Sequence, residues 1–473
     1  MNITHIVVLV IYVVLMLAVG AWFGRSKQTA SGEDFMLAGR SLPAPVLAGT
    51  MLATFVGSGS IIGGANFAYS YGVLPGFLFF SGTIIGTLVL IAIAKRVRGL
   101  ANYTIPELFE QRFSRATRLV ATIMMLVAFI GIAAYQFTGA GYIISLITPL
   151  DGTTGSILAA VLITFLALAG GLKSVAWTDY ISAIMIVFAL WVTLFFVIGV
   201  DLGGVSELGS VGSGQGGVFG GLSPIQMLGF ALPLLALILG DQNMYQRLSS
   251  AKDEKAAHKG AILFFFGAII MIVPIVLLAV SSAVLQPGIE PDMAVLSLSD
   301  ARFTPGAIGG ALLAGAFALV VTTGSSYLLT CSLNIVHDLV GQVSPKTPQN
   351  PARDMWLGRA AVLGVAVLAY VMVQFFPSVL ALQMYAYTMY GATITPVVLA
   401  ALFWKRATAV GALAAMLVGG VATIGWEVSG RAAEVNSVIV SLPLAIIALV
   451  VGSLLTRPKA DEALPQDVKS PAA

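Results

Sequence analysis

Apolar residues in this chain come in long blocks. Thirteen of them, near residues 4–24, 46–70, 74–95, 116–147, 155–171, 178–199, 223–246, 259–286, 305–340, 355–376, 378–404, 407–427 and 436–455, alternate with mostly short polar connections. A helix needs about 20 apolar residues to cross a hydrocarbon core about 30 Å thick, and the blocks are of that order. The first, IVVLVIYVVLMLAVGAWFG, runs on without the in–out alternation over about ten residues that a membrane β-barrel strand would show. The pattern predicts an all-α integral membrane protein of about 13 transmembrane helices, forming a single transmembrane domain over residues 1–456. The Gly- and Ser-rich stretch near 200–222 predicts a mobile loop. The polar, Pro-containing end RPKADEALPQDVKSPAA, residues 457–473, predicts a disordered cytoplasmic tail.

Composition sharpens this reading by exclusion. Hydrophobic residues make up 58% of the chain and charged residues 10%, against about 25% charged in an average soluble protein. Too few charges remain to cover a water-soluble fold. The single cysteine, Cys331, lies inside an apolar block, excludes an intrachain disulfide and reads as a small buried hydrophobe. No basic residue precedes the first block, which therefore lacks the n-region of a secretory signal and is expected to be a retained helix.

Charge also orients the chain. Lys and Arg collect in cytoplasmic loops. With the N-terminus outside, 22 of the 24 basic residues fall on the cytoplasmic side, Arg112, Arg118 and Arg247 among them, and only Arg302 and Arg431 fall outside. One helix more or fewer would scramble that segregation. The expectation is a multi-pass protein of the plasma (inner) membrane with its N-terminus outside and its C-terminus cytoplasmic.

Absences narrow the function. No Gly-Lys-Ser/Thr phosphate loop occurs, which disfavours ATP-driven pumping by this chain. His5, His258 and His337 are scattered, with no metal-ligand spacing. No Ser/His/Asp arrangement, no cofactor motif and no potassium-filter sequence appears, so an enzyme, a nucleic-acid binder and a potassium channel are all poorly supported. Meanwhile segment 2 carries GSGSIIGG at Gly57–Gly64, and segment 7 carries Pro224, Gly229 and Pro233. Interrupted helices at matching positions of two inverted halves point to a secondary transporter's binding site; close packing of glycine-bearing helices is the alternative.

Uphill transport without ATP machinery calls for an ion gradient. A sodium ion needs oxygen ligands, and irregular backbone at membrane depth is tolerated where it lines such a cavity. The glycines around Ala53–Ser60 can release carbonyls. Thr322, Thr323, Ser325 and Ser326 put four hydroxyls within five residues of segment 9, with 322, 325 and 326 on one helix face. Asp179, at the start of segment 6, is a costly intramembrane carboxylate or a helix cap. GDQNMYQR, Gly240–Arg247, at the end of segment 7, reads as a hydrated polar helix end or as a gate network.

These stretches resemble the sodium:solute symporter family over nearly the whole chain. The similar stretches are FVGSGSIIGG, TIPELFEQRF, GGLKSVAWTDYI, DQNMYQRLSSAKDEKAAHKG, TTGSSYLLTCS and TPVVLAALFWKRAT. The resemblance implies a five-plus-five inverted repeat of the LeuT type, approximately 46–199 against 223–404, with discontinuous helices 2 and 7 around a midplane solute site. It implies a sodium site formed by the carbonyls of Ala53, Val56 and Leu319 and the hydroxyls of Thr322 and Thr323. A second sodium site, present in some members, would map to Asp179, Thr322, Ser325 and Ser326. Ser58, Ser60 and Gln136 are the candidate solute-facing groups. Sugar-type members have Gln or His where Ser60 stands, a helix 8 Lys where Ile270 stands, and commonly Gln where Ser182 stands, so a galactose-like site is poorly supported. The function implied is sodium-coupled import of a small organic solute by alternating access, with sodium as coupling ion. The competing readings are a proton-coupled or uncoupled carrier and a solute-binding sensor.

Overall fold

The computed structural model describes residues 3–24, 38–100, 104–169, 172–204, 206–210, 218–341 and 351–458. The tail from residue 459 on, the central part of the Gly-rich loop, and Arg25, Lys27, Lys346, Lys459 and Lys469 lie outside the described residues. The helices are α1 (Ile3–Gly24), α2 in two halves (Ala44–Phe55 and, through a π-turn Gly59–Gly64, Ala65–Tyr71), α3 (Val73–Arg98), α4 (Arg115–Ile147), α5 (Gly152–Ala169) and α6 (Leu172–Phe196). They continue as α7 in two halves (Pro224–Gly240 and Gln242–Ser249), α8 (Glu254–Leu285), α9 (Gly306–Leu333), α10 (Pro351–Val373), α11 in two halves (Val379–Thr393 and Thr395–Phe403), α12 (Ala409–Val428) and α13 (Val438–Leu455). Among the described residues there is no β-sheet, only an isolated bridge between Leu42 and Ala251. Among the described residues, ten helices are long and apolar enough to cross a membrane, and the α2 pair, bent by 60°, counts as one further broken span. Ile3–Tyr12 and Gly152–Leu168 are shorter apolar helices.

Local chemistry sets several of the helix starts. Ser114 accepts a hydrogen bond from the Thr117 amide at the start of α4, Ser223 from Gln226 at the start of α7, Asp253 from Ala256 at α8, and Ser378 from Ala381 at α11. Each satisfies an amide that the helix itself cannot.

The core is helix against helix. α4 packs on α5, α9, α10 and α11, while α2 packs on α6 and α8, and α7 on α3 and α11. α11 and α9 are the most enclosed spans, whereas α10 and α13 turn large apolar side chains such as Val367 and Ile447 outward, as lipid-facing helices do. The α3–α7 contact depends on Gly82. A Cβ there would stand 2.0 Å from the Ala231 carbonyl oxygen, a backbone atom that cannot swing aside. Gly82→Ala is expected to destabilise the protein by about 1–3 kcal/mol through overpacking, read as a lower melting temperature in detergent. Gly364→Ala on α10, where a Cβ meets nothing within 4 Å, is expected to melt like the parent.

The connections gather at two ends. At one, Arg112 donates to the carbonyls of Trp404, Lys405 and Ala407, Arg98 to the carbonyl of Ala251, and the Leu42 backbone bonds to Ser250 and Lys252. This is the basic end. Arg112 and Arg247 are each only 1% exposed, however, and Arg118 is buried against Glu110 and Asp338. The charge pattern assigns all three to the cytoplasmic side without saying whether they are hydrated. They lie inside because carboxylates or convergent carbonyls replace their water. At the opposite end, Asp292 accepts from Asn66 Nδ2 on α2 at 2.7 Å and from the Val379 amide of α11 at 2.9 Å. Burial pushes the Asp292 carboxyl above its ordinary range, and the two hydrogen bonds pull the other way.

Candidate functional site

The centre of the molecule is built on the break in α2. The helix runs through Phe55, leaves helical geometry at Val56 (φ −92°, ψ 66°), and resumes as the π-turn from Gly59. The Ser58 amide, whose helical acceptor would have been Thr54, donates instead to Gln136 Oε1 of α4 at 2.9 Å, and the Ser60 hydroxyl donates to the Phe55 carbonyl at 2.9 Å. The Ser60 and Ile61 amides turn to the Gly57 carbonyl, so no backbone amide donates to the Val56 carbonyl among the described residues. Gly57 is required by crowding: a Cβ would sit 2.8 Å from Gln136 Nε2 and 3.2 Å from Thr323 Cγ2.

α9 faces this break. Thr323 Oγ1 donates to the Ala53 carbonyl at 3.0 Å, joining α9 to the last turn of the first half of α2. Thr322 Oγ1 donates to the Leu319 carbonyl at 3.2 Å and lies beside the Asp179 carboxylate. Thr323 is therefore brought to Ala53, with the Val56 carbonyl three residues beyond it, while the Thr322–Leu319 bond is internal to α9 and Thr322 turns to Asp179. Of the second set, Asp179 and Thr322 meet. Ser325 Oγ donates to the Thr322 carbonyl at 3.1 Å, and Ser326 lines a separate crevice.

Asp179 is buried and accepts from Thr50 Oγ1 at 2.7 Å. Arg247 Nη2 lies 3.8 Å from the same carboxylate oxygen, Arg247 Nε donates to Thr50 Oγ1 at 3.1 Å, and Nη1 donates to the Asn243 carbonyl at 3.3 Å. Thr50 thus links the ion pair by donating to one partner and accepting from the other.

The second break is in α7, between Gly240 and Gln242, while Pro233 stays within a continuous helix. Asp241 caps the second half by accepting from the Asn243 amide at 3.0 Å, and its other oxygen accepts from Tyr327 Oη of α9 at 3.1 Å. Tyr390 Oη spans the break, donating to the Gly240 carbonyl at 2.8 Å and accepting from the Gln242 amide. Gln242 reaches Asn334 and the Ile105 amide, and Asn243 accepts from Thr330. The reading of this stretch as a hydrated helix end is therefore corrected: Asp241, Gln242, Asn243 and Arg247 are all buried. Each has protein partners in place of water.

A small chamber of about 10 Å³ lies between the breaks, walled by Phe55, Tyr135, Gln136, Asp241, Tyr327 and Tyr387 among others. Gln136 lines it, and Gln136 Nε2 and the Ser58 hydroxyl are buried without partners. A crevice of about 440 Å³ lies toward the basic end, lined by Asn243, Arg247, Ser326, Thr330, Arg359 and apolar side chains. The second half of α7 separates the two. Ser182 bonds Tyr12 and the Thr178 carbonyl, and Ile270 is exposed, so neither faces the chamber.

Sequence reasoning missed Thr50, Tyr135, Tyr327 and Tyr387 as parts of this centre. Nothing local distinguishes them from packing residues. For Asp241 a signal was present: Gly followed by Asp inside an apolar block is a helix stop followed by an N-cap.

Two broken helices meeting at a buried polar chamber in an all-helical membrane protein define a secondary transporter. The model of the sodium:solute symporter family matches residues 35–419, and the chain belongs to that family. It is 28% identical over 464 residues to the high-affinity proline transporter of Bacillus subtilis, covering 91% of this chain and 94% of that one. It is 27% identical to the sodium/pantothenate symporter of Escherichia coli, covering 96% and 97%. A Na+-coupled sialic acid symporter in a substrate-bound outward-open state superposes with a TM-score of 0.77 at 19% identity, covering 96% and 98%, and shares the fold. The chain is thus a sodium-coupled symporter of a small organic solute, a multi-pass membrane transporter and not an enzyme. Family membership sets aside the proton-coupled, uncoupled and sensor readings.

Proposed function

We propose that sodium binds where α2 opens against α9, held by the carbonyls of Ala53, Val56 and Leu319 and the hydroxyls of Thr322 and Thr323. The observation that carries this reading is the 3.0 Å contact from Thr323 Oγ1 to the Ala53 carbonyl at the helix break. An ion there ties α2 to α9 and favours whichever conformation brings them together; coupling requires that difference in affinity between conformations. At Asp179 we assign the counter-charge to Arg247 rather than to a second sodium on Asp179, Thr322, Ser325 and Ser326.

The solute we place in the chamber between the α2 and α7 breaks. The named solutes of the relatives, proline and pantothenate, share a carboxylate. The partnerless Gln136 Nε2 and Ser58 hydroxyl are donors of the kind a carboxylate takes. Ser60 contributes by holding the break open, since its hydroxyl is committed to Phe55. The transported solute is accordingly a small carboxylate-bearing molecule.

The same reading covers the topology. Thirteen helices cross the membrane as one domain over residues 1–456, with α2–α6 (46–199) and α7–α11 (223–404) as inverted halves. The N-terminus is outside, and the basic end and the tail 457–473 face the cytoplasm. The support is the spacing of the two breaks, five helices apart, and the gathering of basic loops at one end. The 440 Å³ crevice is then the inner release route, and the Asp292 contacts close the outer face. Asp292→Ala leaves Asn66 Nδ2 and the Val379 amide unpaired, at about 1–3 kcal/mol. Hydrogen exchange is expected to rise across 286–305 and the start of α11.

Uptake of labelled carboxylates into proteoliposomes tests the function. An inward sodium gradient is expected to drive accumulation that an equal potassium gradient does not. Uptake indifferent to the cation rejects the proposal.

A further inference from the structure

We infer that Asp241 selects solutes bearing a positively charged nitrogen, so that the transported solute is a small zwitterion of the amino-acid or betaine class rather than a simple carboxylate. This rests on the placement of a carboxylate-bearing solute between α2 and α7.

Position comes first. Asp241 sits at the break of α7, is 1% exposed, and lines the chamber opposite the α2 break. A group at a helix break inside a membrane faces a ligand or a cavity. Charge comes next. The central network holds two carboxylates, Asp179 and Asp241, and one guanidinium, Arg247. The guanidinium is engaged by Asp179, by Thr50 and by the Asn243 carbonyl. Asp241 itself takes hydrogen bonds only from neutral donors, the Asn243 amide and Tyr327 Oη, and feels the Arg247 charge without direct contact. A buried carboxylate with no cation in direct contact remains under-compensated, so a cation on its chamber side stabilises it.

The walls suit the same ligand. Tyr135, Tyr327, Tyr387 and Phe55 surround the chamber, and aromatic faces attract ammonium and quaternary ammonium groups. Finally, the opposite charge has its own place. Gln136 also lines the chamber, and its Nε2 has no partner. A donor on α4 and a carboxylate on α7, across one aromatic-walled space, match the two ends of a zwitterion. The chamber of about 10 Å³ holds roughly one water. A whole solute enters when α2 and α7 part.

Isosteric pairs test this. Glycine betaine and tert-butylacetate have the same shape and carboxylate, but only the first carries a cationic nitrogen; proline and cyclopentanecarboxylate make a second pair. Tetramethylammonium carries the cation alone. Binding is read as the rise in melting temperature of the full-length protein in sodium. The parent protein is expected to bind at least one nitrogen-bearing member at least about tenfold more tightly than its nitrogen-free counterpart, as loss of a buried charge pair implies. Asp241→Asn is expected to abolish that preference and Asp241→Glu to keep it, with the sodium-induced rise reporting that each variant is folded. Equal binding within both pairs, or a preference that survives Asp241→Asn, overturns the role of Asp241 while leaving a carboxylate-bearing solute in place. Tetramethylammonium binding as well as glycine betaine overturns the carboxylate reading and leaves Asp241 standing. No response to any probe overturns both.

Discussion

Thr323→Ala is expected to raise the sodium concentration for half-maximal uptake by about ten- to a hundredfold. The hydroxyl is the direct tie between α9 and the opened end of α2, at 3.0 Å from the Ala53 carbonyl. Its loss removes one ligand of a charged guest, a contact worth about 1.5–3 kcal/mol. The carbonyls of Ala53 and Val56 survive the mutation, so sodium dependence weakens without vanishing. Thr323→Ser keeps the oxygen and is expected to stay near the parent value. Thr323→Val keeps the shape and is expected to behave like alanine. A structural role in packing predicts the reverse order, with valine the milder change. Sodium titration of uptake in proteoliposomes distinguishes the two.

The second large effect is at Arg247. Removing one partner of a buried ion pair leaves the other uncompensated, at about 3–5 kcal/mol. Arg247→Ala is expected to lose that much, because Asp179 is 1% exposed and would keep only neutral neighbours, the Thr50 and Thr322 hydroxyls. Asp179→Asn in the same chain removes the stranded charge and is expected to recover much of the loss. The double variant is then more stable than Arg247→Ala alone, a coupling that a thermodynamic cycle measures directly. Strict additivity of the two changes would mean that the pair is not coupled. A protein with a second sodium at Asp179 would also gain sodium-dependent stability when Arg247 is removed. The present account predicts no such gain.

Much of this architecture was legible in the pattern of residues, for physical reasons. Bilayer thickness fixes helix length, so the apolar blocks located the helices to within a few residues. The glycines of Gly57–Gly64 marked the α2 break, because Gly57 leaves room for α4 and α9, Gly59 and Gly63 for α11, and Gly64 for Phe80 of α3. The second break was assigned to the right helix for partly the wrong reason. Pro233 was the conspicuous residue, yet α7 passes straight through it and parts at Gly240–Asp241. Proline inside a membrane helix is accommodated when neighbours satisfy the freed backbone, whereas an Asp that caps a new helix supplies a positive reason to restart.

The burial of Arg112, Arg118 and Arg247 was not legible, because charge counting treats every basic residue alike. Whether an arginine is hydrated depends on carboxylates and carbonyls far away in sequence, and these are invisible locally: 68 positions separate Arg247 from Asp179 and 292 separate Arg112 from Trp404. The tyrosines around the chamber were illegible for the same reason. An aromatic residue in an apolar block looks alike whether it faces lipid, packing or a solute.

Equilibrium binding of radioactive sodium to the purified protein tests the central claim most directly. The account predicts saturable binding by the parent and its loss, over the same concentration range, in the Thr322→Ala/Thr323→Ala double variant with its fold intact. Undiminished sodium binding by that variant would contradict the account and move the ion away from the junction of α2 and α9.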